Sequence, residues 1–348
     1  MRLKPFQQQL KKKKITHTLF VVLEAINPSF VYFTQLPKLT HAALLIPSQG
    51  KPTLFVSILD YGRVKHSGMH VILLKKSLFD LLKKHKLKSI GLDFQNTPYS
   101  LIKKIKKTLP KVKLADVSSL LAEQRIVKTD AEVELLAKAA DISNKAFMHI
   151  ISHFDFKTEA EVAAALEYEM AKQGASPAFP TIVASGKNAS IPHHVTTNKP
   201  LQRGFCVIDF GASYNGYCSD CTRTIFIGKP TPKEKNIYNL VLTAQKKALA
   251  AVKINNSCKA IDSIARNQLK NYGRYFTHAL GHGIGIEVHE APSVSQKSKD
   301  KLQKMMAITI EPGIYVPNKF GIRIEDTVIV GNKPRVLTTL SKILITIC

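Results

Sequence analysis

Asp209 and Asp220 lie eleven residues apart, the first inside Val207-Ile208-Asp209-Phe210-Gly211 and the second inside Ser219-Asp220-Cys221-Thr222-Arg223-Thr224. A charge inside a strand-like apolar run is costly unless something compensates it. Between the two acids is a turn signal, Tyr214-Asn215-Gly216. Residues opposed in an antiparallel pair keep a constant sum of positions. For Asp209 and Asp220 that sum is 429, which centres the hairpin at 214.5, on the turn. The two carboxylates are therefore expected to oppose each other and share a face. Glu311, in Ile308-Thr309-Ile310-Glu311-Pro312-Gly313, and Glu325, in Ile322-Arg323-Ile324-Glu325-Asp326, repeat the pattern. Their sum is 636 and the centre is 318, within Pro317-Asn318-Lys319. Ile308, Ile310, Ile322 and Ile324 then fall on the opposite, apolar face.

Four carboxylates gathered in one place repel one another and need cations. Two divalent ions would balance them. Oxygen-rich ligation favours Mn²⁺ or Mg²⁺, and an imidazole ligand admits Zn²⁺, Co²⁺ or Fe²⁺. The candidate imidazole is His282, in Thr277-His278-Ala279-Leu280-Gly281-His282-Gly283-Ile284-Gly285, where flanking glycines permit close approach. His289 follows, so three histidines fall within twelve residues. One hairpin alone leaves open that its acids are unrelated surface groups. Two hairpins with the same arithmetic point to a metal centre.

The elements that must position these groups are legible in outline. Residues 2–13 predict a basic helix. Residues 18–23, 31–34, 42–47, 53–57, 71–74, 89–93 and 112–114 predict strands, with Lys-rich helices over 78–86 and 99–109, so the front of the chain is a small α/β domain. A long helix is expected from 129 to 153. Thr158-x-x-Glu161 is a capping box that opens a second helix, stopped at Gly174. Beyond it the pattern is α+β: strands at 207–210, 217–227, 308–311, 321–324 and 327–330, and helices at 232–252 and 259–272, the latter ended by Gly273. The expected division is residues 1–124 and 125–348, with a hint of internal duplication in the second part.

The 348 residues carry a net charge of +26, of which residues 1–128 hold +18 (24 Lys and Arg against six acids). The lysine runs at 11–14, 83–88 and 103–107 lie on amphipathic helices without interleaved aromatics. They read as solvated faces, so nucleic acid is not an expected partner. Apolar runs are too short to span a membrane. Lys11–Lys14 followed by residues 19–23 imitates a signal peptide only faintly, since Glu24 interrupts it. Five scattered cysteines suit a reducing, cytoplasmic setting. Cys218-x-x-Cys221 has redox spacing, but no second pair exists and strand alternation points the two apart.

These stretches resemble the pita-bread metallopeptidases, the family of methionine aminopeptidase, aminopeptidase P and prolidase. The matching segments are IDFG (Asp209), SDCTRT (Asp220), LGHGIGIEVHEAP (His282), ITIEPGIY (Glu311) and IRIEDT (Glu325). The resemblance implies an α+β pita-bread catalytic domain at 125–348 behind a smaller creatinase-type α/β domain at 1–124. It implies two divalent metal ions, manganese first and cobalt or zinc next, held by Asp209, Asp220, His282, Glu311 and Glu325, with a metal-bridging hydroxide cutting the bond before proline. His193, with His194 as its adjacent competitor, and His289 would contact substrate and the developing oxyanion. Glu311 would move the proton, His278 would line the proline-side pocket, and Tyr315 and Arg323 would support the substrate site from behind. Arg323, on the strand face of Glu325, is expected to hold that carboxylate. The implied substrates are short peptides with proline second, and the implied assembly is a homodimer. The N-terminal domain argues against the methionine aminopeptidase branch. The intact ligand set argues against a non-catalytic binding protein that uses its basic front domain.

Overall fold

The computed structural model describes residues 2–23, 27–65 and 67–347; Glu24 and Cys348 lie outside them. The chain divides into two compact units, Met1–Gln124 and Arg125–Cys348. Among the described residues, no helix is long and apolar enough to cross a membrane.

The first unit runs α1 (Leu3–Lys12), β1 (His17–Leu23), α2 (Pro28–Thr34), β2 (His41–Pro47), β3 (Thr53–Val56), α3 (Ile58–Val64), β4 (His70–Leu73), α4 (Leu78–Leu82), β5 (Ser89–Leu92), α5 (Tyr99–Thr108), β6 (Lys113–Asp116) and α6 (Ser118–Ile126), with the division falling inside α6. The strands form one mixed sheet ordered β4-β3-β2-β1-β5-β6. Phe6, Leu10, Phe30 and Leu120 pack one face, and Phe79, Leu82, Leu101 and Ile105 pack the other. The lysines at 11–14 and at 103, 104, 106 and 107 stay exposed while Leu10, Leu101 and Ile105 are buried. That is the pattern of an amphipathic, solvated face.

Two expectations change here. Residues 31–34 are helical, not strand. Asn27 accepts a hydrogen bond from the Phe30 amide and Pro28 opens the helix, so cap chemistry outweighs the β-branched and aromatic composition. The helix expected over 78–86 stops at Leu82, where the Lys84 and His85 amides tighten onto the carbonyls of Leu81 and Leu82.

The second unit contains α7 (Asp130–Ser152), α8 (Glu159–Lys172), β7 (Ser176–Pro177), β8 (Ile182–Ser185), β9 (Gly204–Phe210), β10 (Ala212–Tyr214), β11 (Tyr217–Cys218), β12 (Cys221–Ile227), α9 (Pro232–Ala250), α10 (Cys258–Leu269), β13 (Gly281–Gly283), β14 (Glu290–Val294), β15 (Ala307–Ile310), β16 (Gly313–Val316), β17 (Phe320–Arg323) and β18 (Asp326–Ile329). Capping boxes at Thr129/Glu132, Thr158/Glu161 and Thr231/Glu234 start α7, α8 and α9. Helix α10 ends at Leu269 and passes into a 3₁₀ turn through Gly273. Two apolar clusters match the duplication hinted at by the sequence. Phe147, Ile150, Val162 and Leu166 of α7 and α8 pack on Ile208 and Ile225 of β9 and β12. Tyr238, Val241, Ile261 and Ala265 of α9 and α10 pack on Ile308, Ile310, Ile322 and Ile324.

The two hairpins differ from each other in how they keep their registers. In the second, Ile310 pairs with Asp326 and Gly313 with Arg323, so every pair keeps the sum 636. The ladder is interrupted over Glu311-Pro312 and Ile324-Glu325, where the Glu311 and Glu325 amides donate instead to the Leu280 and Thr222 carbonyls. In the first, Asp209 opposes Thr222 rather than Asp220, and the sum is 431. Asn215 and Gly216 both take left-handed φ, 49° and 84°, forming a two-residue turn centred one position later than expected. A shift of two preserves the face, so Asp209 and Asp220 become diagonal neighbours. The strand expected over 217–227 is broken at Ser219 and Asp220, which frees the Asp220 side chain from the pleat.

Candidate metal centre

Ligand atoms of Asp220, His282 and Glu325 lie within 4.8 Å of one another. His282 Nε2 is 3.6 Å from Asp220 Oδ2 and 3.2 Å from Glu311 Oε1. Its other nitrogen, Nδ1, lies 3.1 Å from the Gly283 carbonyl and donates to it, so Nε2 is the atom presented to the acids. Thr309 alternates onto the same face as Glu311. Its hydroxyl donates to Glu311 Oε1 at 3.1 Å and accepts from the His282 amide at 3.0 Å. Gly281 is required because β13 runs against β15: a Cβ there would meet the Thr309 carbonyl oxygen at 2.0 Å. Gly281→Ala should therefore cost about 1–3 kcal/mol by urea titration. Calorimetric titration of the same variant with Mn²⁺ should show weaker binding, because His282 moves with β13.

Asp209 joins the group through Arg323, whose Nη2 donates to Asp209 Oδ2 at 2.6 Å. Arg323 Nε donates to the Thr222 hydroxyl at 3.0 Å, and that hydroxyl donates to Glu325 Oε2 at 2.7 Å. Arg323 thus grips Asp209 directly and Glu325 only through Thr222. The strand-face argument missed this, because the guanidinium reaches across to the neighbouring hairpin.

The residues fit a cation on two observations. Asp209 Oδ1 and Glu325 Oε1 are buried without a hydrogen-bond partner among the described residues, although their sister oxygens are bonded, Asp209 Oδ2 to Arg323 and Glu325 Oε2 to Thr222. Such orphaned acceptors are rare in folded proteins and ask for a ligand. Burial, followed by the charge of Glu325 and then Asp209, pushes the Asp220 carboxyl well above its usual range, and burial with Glu311 and Asp209 does the same to Glu325. Burial works against Glu311 too, but the hydrogen bond and charge of His282 hold it down to about 2. The set is short of positive charge.

Around these groups lies a cavity of about 710 Å³. Asp209, Asp220, Glu311, Glu325 and His282 share its wall with His193, His194, His278, His289 and apolar Phe179, Ile182, Pro192 and Val288; Arg323 also faces it. His193 makes no side-chain hydrogen bond among the described residues, whereas His194 Nε2 lies 2.9 Å from Glu159 Oε2. The two adjacent histidines therefore have different jobs. His289 lies tilted against His282, ring centres 4.3 Å apart and planes at 59°, and burial lowers its pKa first, then His282. Tyr315 is buried behind the wall. Its hydroxyl accepts from Arg323 Nη1 at 2.6 Å and is 2.9 Å from His278 Nε2. It therefore donates to that nitrogen, and His278 Nδ1 donates to the Ala279 carbonyl at 2.8 Å. Burial, ahead of the opposing charge of Glu311, lowers His278, consistent with a neutral ring.

Sequence reasoning passed over Glu290. It is buried, accepts from Arg125, from Lys128 Nζ at 3.0 Å and from the Ile286 amide at 2.9 Å, and so pins the segment that carries His289. An acid directly after a candidate site histidine was the available signal. Cys218 and Cys221 are both buried, their thiols directed to the carbonyls of Ile286 and Glu325, and they form no joint site.

Residues 134–332 match the model of metallopeptidase family M24, and residues 2–127 match the creatinase/prolidase N-terminal domain. The chain is 41% identical over 320 residues to a Xaa-Pro dipeptidase of Pyrococcus horikoshii, covering 90% of this chain and 91% of that protein. The prolidase structure from Pyrococcus horikoshii superposes with a TM-score of 0.90 at 39% identity, covering 99% of both chains. The X-Pro aminopeptidase structure from Thermotoga maritima superposes with a TM-score of 0.91 at 35% identity, covering 97% of this chain and all (100%) of that one. The pita-bread architecture is thus shared with proteins alike over nearly their whole length, and the chain belongs to metallopeptidase family M24.

Proposed function

We propose that the chain hydrolyses the peptide bond preceding proline in short peptides, with two divalent ions, and that Xaa-Pro dipeptides are its favoured substrates. One observation carries the reading: five ligand-type side chains from five separate segments converge on one cavity, two of their buried oxygens lacking any partner. The Xaa-Pro dipeptidase among the relatives supports the choice of bond. Asp209, Asp220, His282, Glu311 and Glu325 would hold the ions, which when bound polarise the scissile carbonyl and acidify the attacking water. Manganese is the favoured metal, because four of the five ligands are carboxylates. Cobalt and zinc are admitted by His282.

The chain's own groups do the rest. Glu311, ionised beside the positive charge of the loaded site, takes the proton of the attacking water and delivers it to the leaving nitrogen. His193 and His289 donate hydrogen bonds to the oxygen that gains charge. His278, oriented through Tyr315, and Arg323 line the side that receives proline. The chemistry is assigned to residues 125–348, with 1–124 as the accessory domain. A homodimer belongs to the same reading on family resemblance, and so does a cytoplasmic location, which the buried free thiols Cys206, Cys218, Cys221 and Cys258 favour.

The test is hydrolysis of Xaa-Pro beside Xaa-Pro-Yaa by chelated protein to which Mn²⁺, Co²⁺ or Zn²⁺ has been restored. Metal-dependent cleavage before proline is expected, faster on the dipeptide. Faster cleavage of the tripeptide moves the chain to the aminopeptidase branch. No cleavage with any metal by folded protein overturns the reading.

A further inference from the structure

Glu159 opens α8, and its side chain is fully buried with no lysine or arginine paired to it among the described residues. Its two oxygens serve two different stretches of chain. Oε1 accepts from the Ser185 amide at 2.8 Å, the Ser185 hydroxyl at 3.0 Å and Asn188 Nδ2 at 2.8 Å. Oε2 accepts from His194 Nε2 at 2.9 Å, the Thr197 hydroxyl at 3.1 Å and the Thr197 amide at 3.4 Å. The segment between these anchors holds Ile191, Pro192 and His193. Ala189 packs with Ala184 and Val207, but beyond it apolar contacts hold the segment little, since Ile191 is 53% and Val195 79% exposed. Arg323 Nη1 adds a long bond, 3.4 Å, to the Pro192 carbonyl, and beyond His194 the Thr196 hydroxyl accepts from the Val183 amide at 2.8 Å and donates to the Thr181 carbonyl at 2.9 Å. One carboxylate closes both stems of the loop that carries His193 into the cavity wall.

We propose that Glu159 is a positioning residue: by closing this loop it sets where His193 meets the substrate. The inference rests on the reading of His193 as a donor to substrate given above. Burial of a lone carboxylate is costly, and six hydrogen bonds offset that cost while tying both stems around His193 to one side chain. Glu159→Gln keeps the shape but replaces one acceptor oxygen with an NH₂ group that faces donors, so one stem is released.

The experiment is a double-mutant cycle on the Mn²⁺-loaded full-length protein with an Xaa-Pro dipeptide, comparing wild type, Glu159→Gln, His193→Ala and the double variant. His193→Ala should lower kcat about 10²-fold, as loss of one donor to a developing oxyanion does. Glu159→Gln should lower kcat by roughly 10- to 100-fold, in the range expected for a misplaced group. Its Mn²⁺ affinity by calorimetry should stay within about twofold of wild type, because no ligand is touched, and the double variant should be no slower than His193→Ala alone. Amide hydrogen exchange supplies a readout independent of turnover: residues 186–195 should exchange faster in Glu159→Gln while α7 and β9 remain protected. Unchanged exchange in that segment, a cycle whose losses multiply, or Mn²⁺ affinity that falls in step with kcat would each overturn the proposal. If wild type does not cleave Xaa-Pro peptides, the functional reading is what fails, and the exchange experiment still decides whether Glu159 holds the loop. Should Glu159→Gln not fold, Asn188→Ala removes one donor from Oε1 and carries the same cycle with a smaller expected loss.

Discussion

Glu311→Gln should leave the protein folded and lower kcat by roughly 10²–10⁴-fold, the usual worth of a positioned general base. The side chain sits between two roles. Its Oε1 faces His282 at 3.2 Å and accepts from the Thr309 hydroxyl at 3.1 Å, while burial would otherwise favour the neutral acid. Without metal, the hydrogen bond and charge of His282 outweigh burial and hold the carboxyl at about 2; with metal bound, the neighbouring positive charge does the same, so the group is ionised at neutral pH and free to accept a proton. An amide keeps the shape and one oxygen for ligation but is far too weakly basic to take a proton from water. Metal loss and loss of proton transfer are separable. The variant should bind Mn²⁺ more weakly, yet saturating Mn²⁺ should restore occupancy without restoring the rate. Activity within about tenfold of wild type at full occupancy would move the proton-transfer role to another group.

How far the chain could be read without coordinates depended on the range of the interaction. The hairpin through Asn318 was legible to the residue, because strand alternation and one turn are local rules; its register holds across β15 to β18. The hairpin through Asn215 was legible in facing but not in register. Turn geometry decides the centre, and an Asn-Gly pair with both φ positive moves it by one residue. Residues 31–34 were misread because composition suggests strand while the Asn27 cap and Pro28 dictate a helix. Arg323 shows the limit of reading one strand at a time. Sharing a face with Glu325 said nothing of the 2.6 Å contact with Asp209, more than a hundred residues earlier. Glu159 and Glu290 escaped for the same reason. Each is a buried acid whose partners come from distant or differently folded segments, and sequence periodicity carries no trace of which buried acid is satisfied and by what.

Removing metal should destabilise the wild type, and Asp220→Asn should make the chelated protein more stable, not less. In the metal-free fold Asp220 and Glu325 are buried against each other and against Asp209, with one oxygen each on Glu325 and Asp209 unpartnered. Buried like charges oppose folding, and each bound cation removes that repulsion. Because the folded carboxyls of Asp220 and Glu325 lie above their unfolded values, the folded state holds more protons than the unfolded one. Their contribution is present below the ordinary carboxylate range, about 4, and is lost as pH rises through the raised values. Chelated wild type should therefore lose stability from about pH 4 upward in this contribution, and metal should restore it. Binding at a hundred times Kd stabilises by about 2.7 kcal/mol per site, or roughly 5–10 °C in Tm for a unit of this size. Asp220→Asn deletes one of the crowded charges, so the chelated variant should melt higher than chelated wild type and respond little to Mn²⁺. Differential scanning calorimetry of both proteins, with and without chelator at pH 5 and pH 8, measures every term. A chelated variant that melts no higher than chelated wild type would show that crowding of the acids is not what the cations relieve.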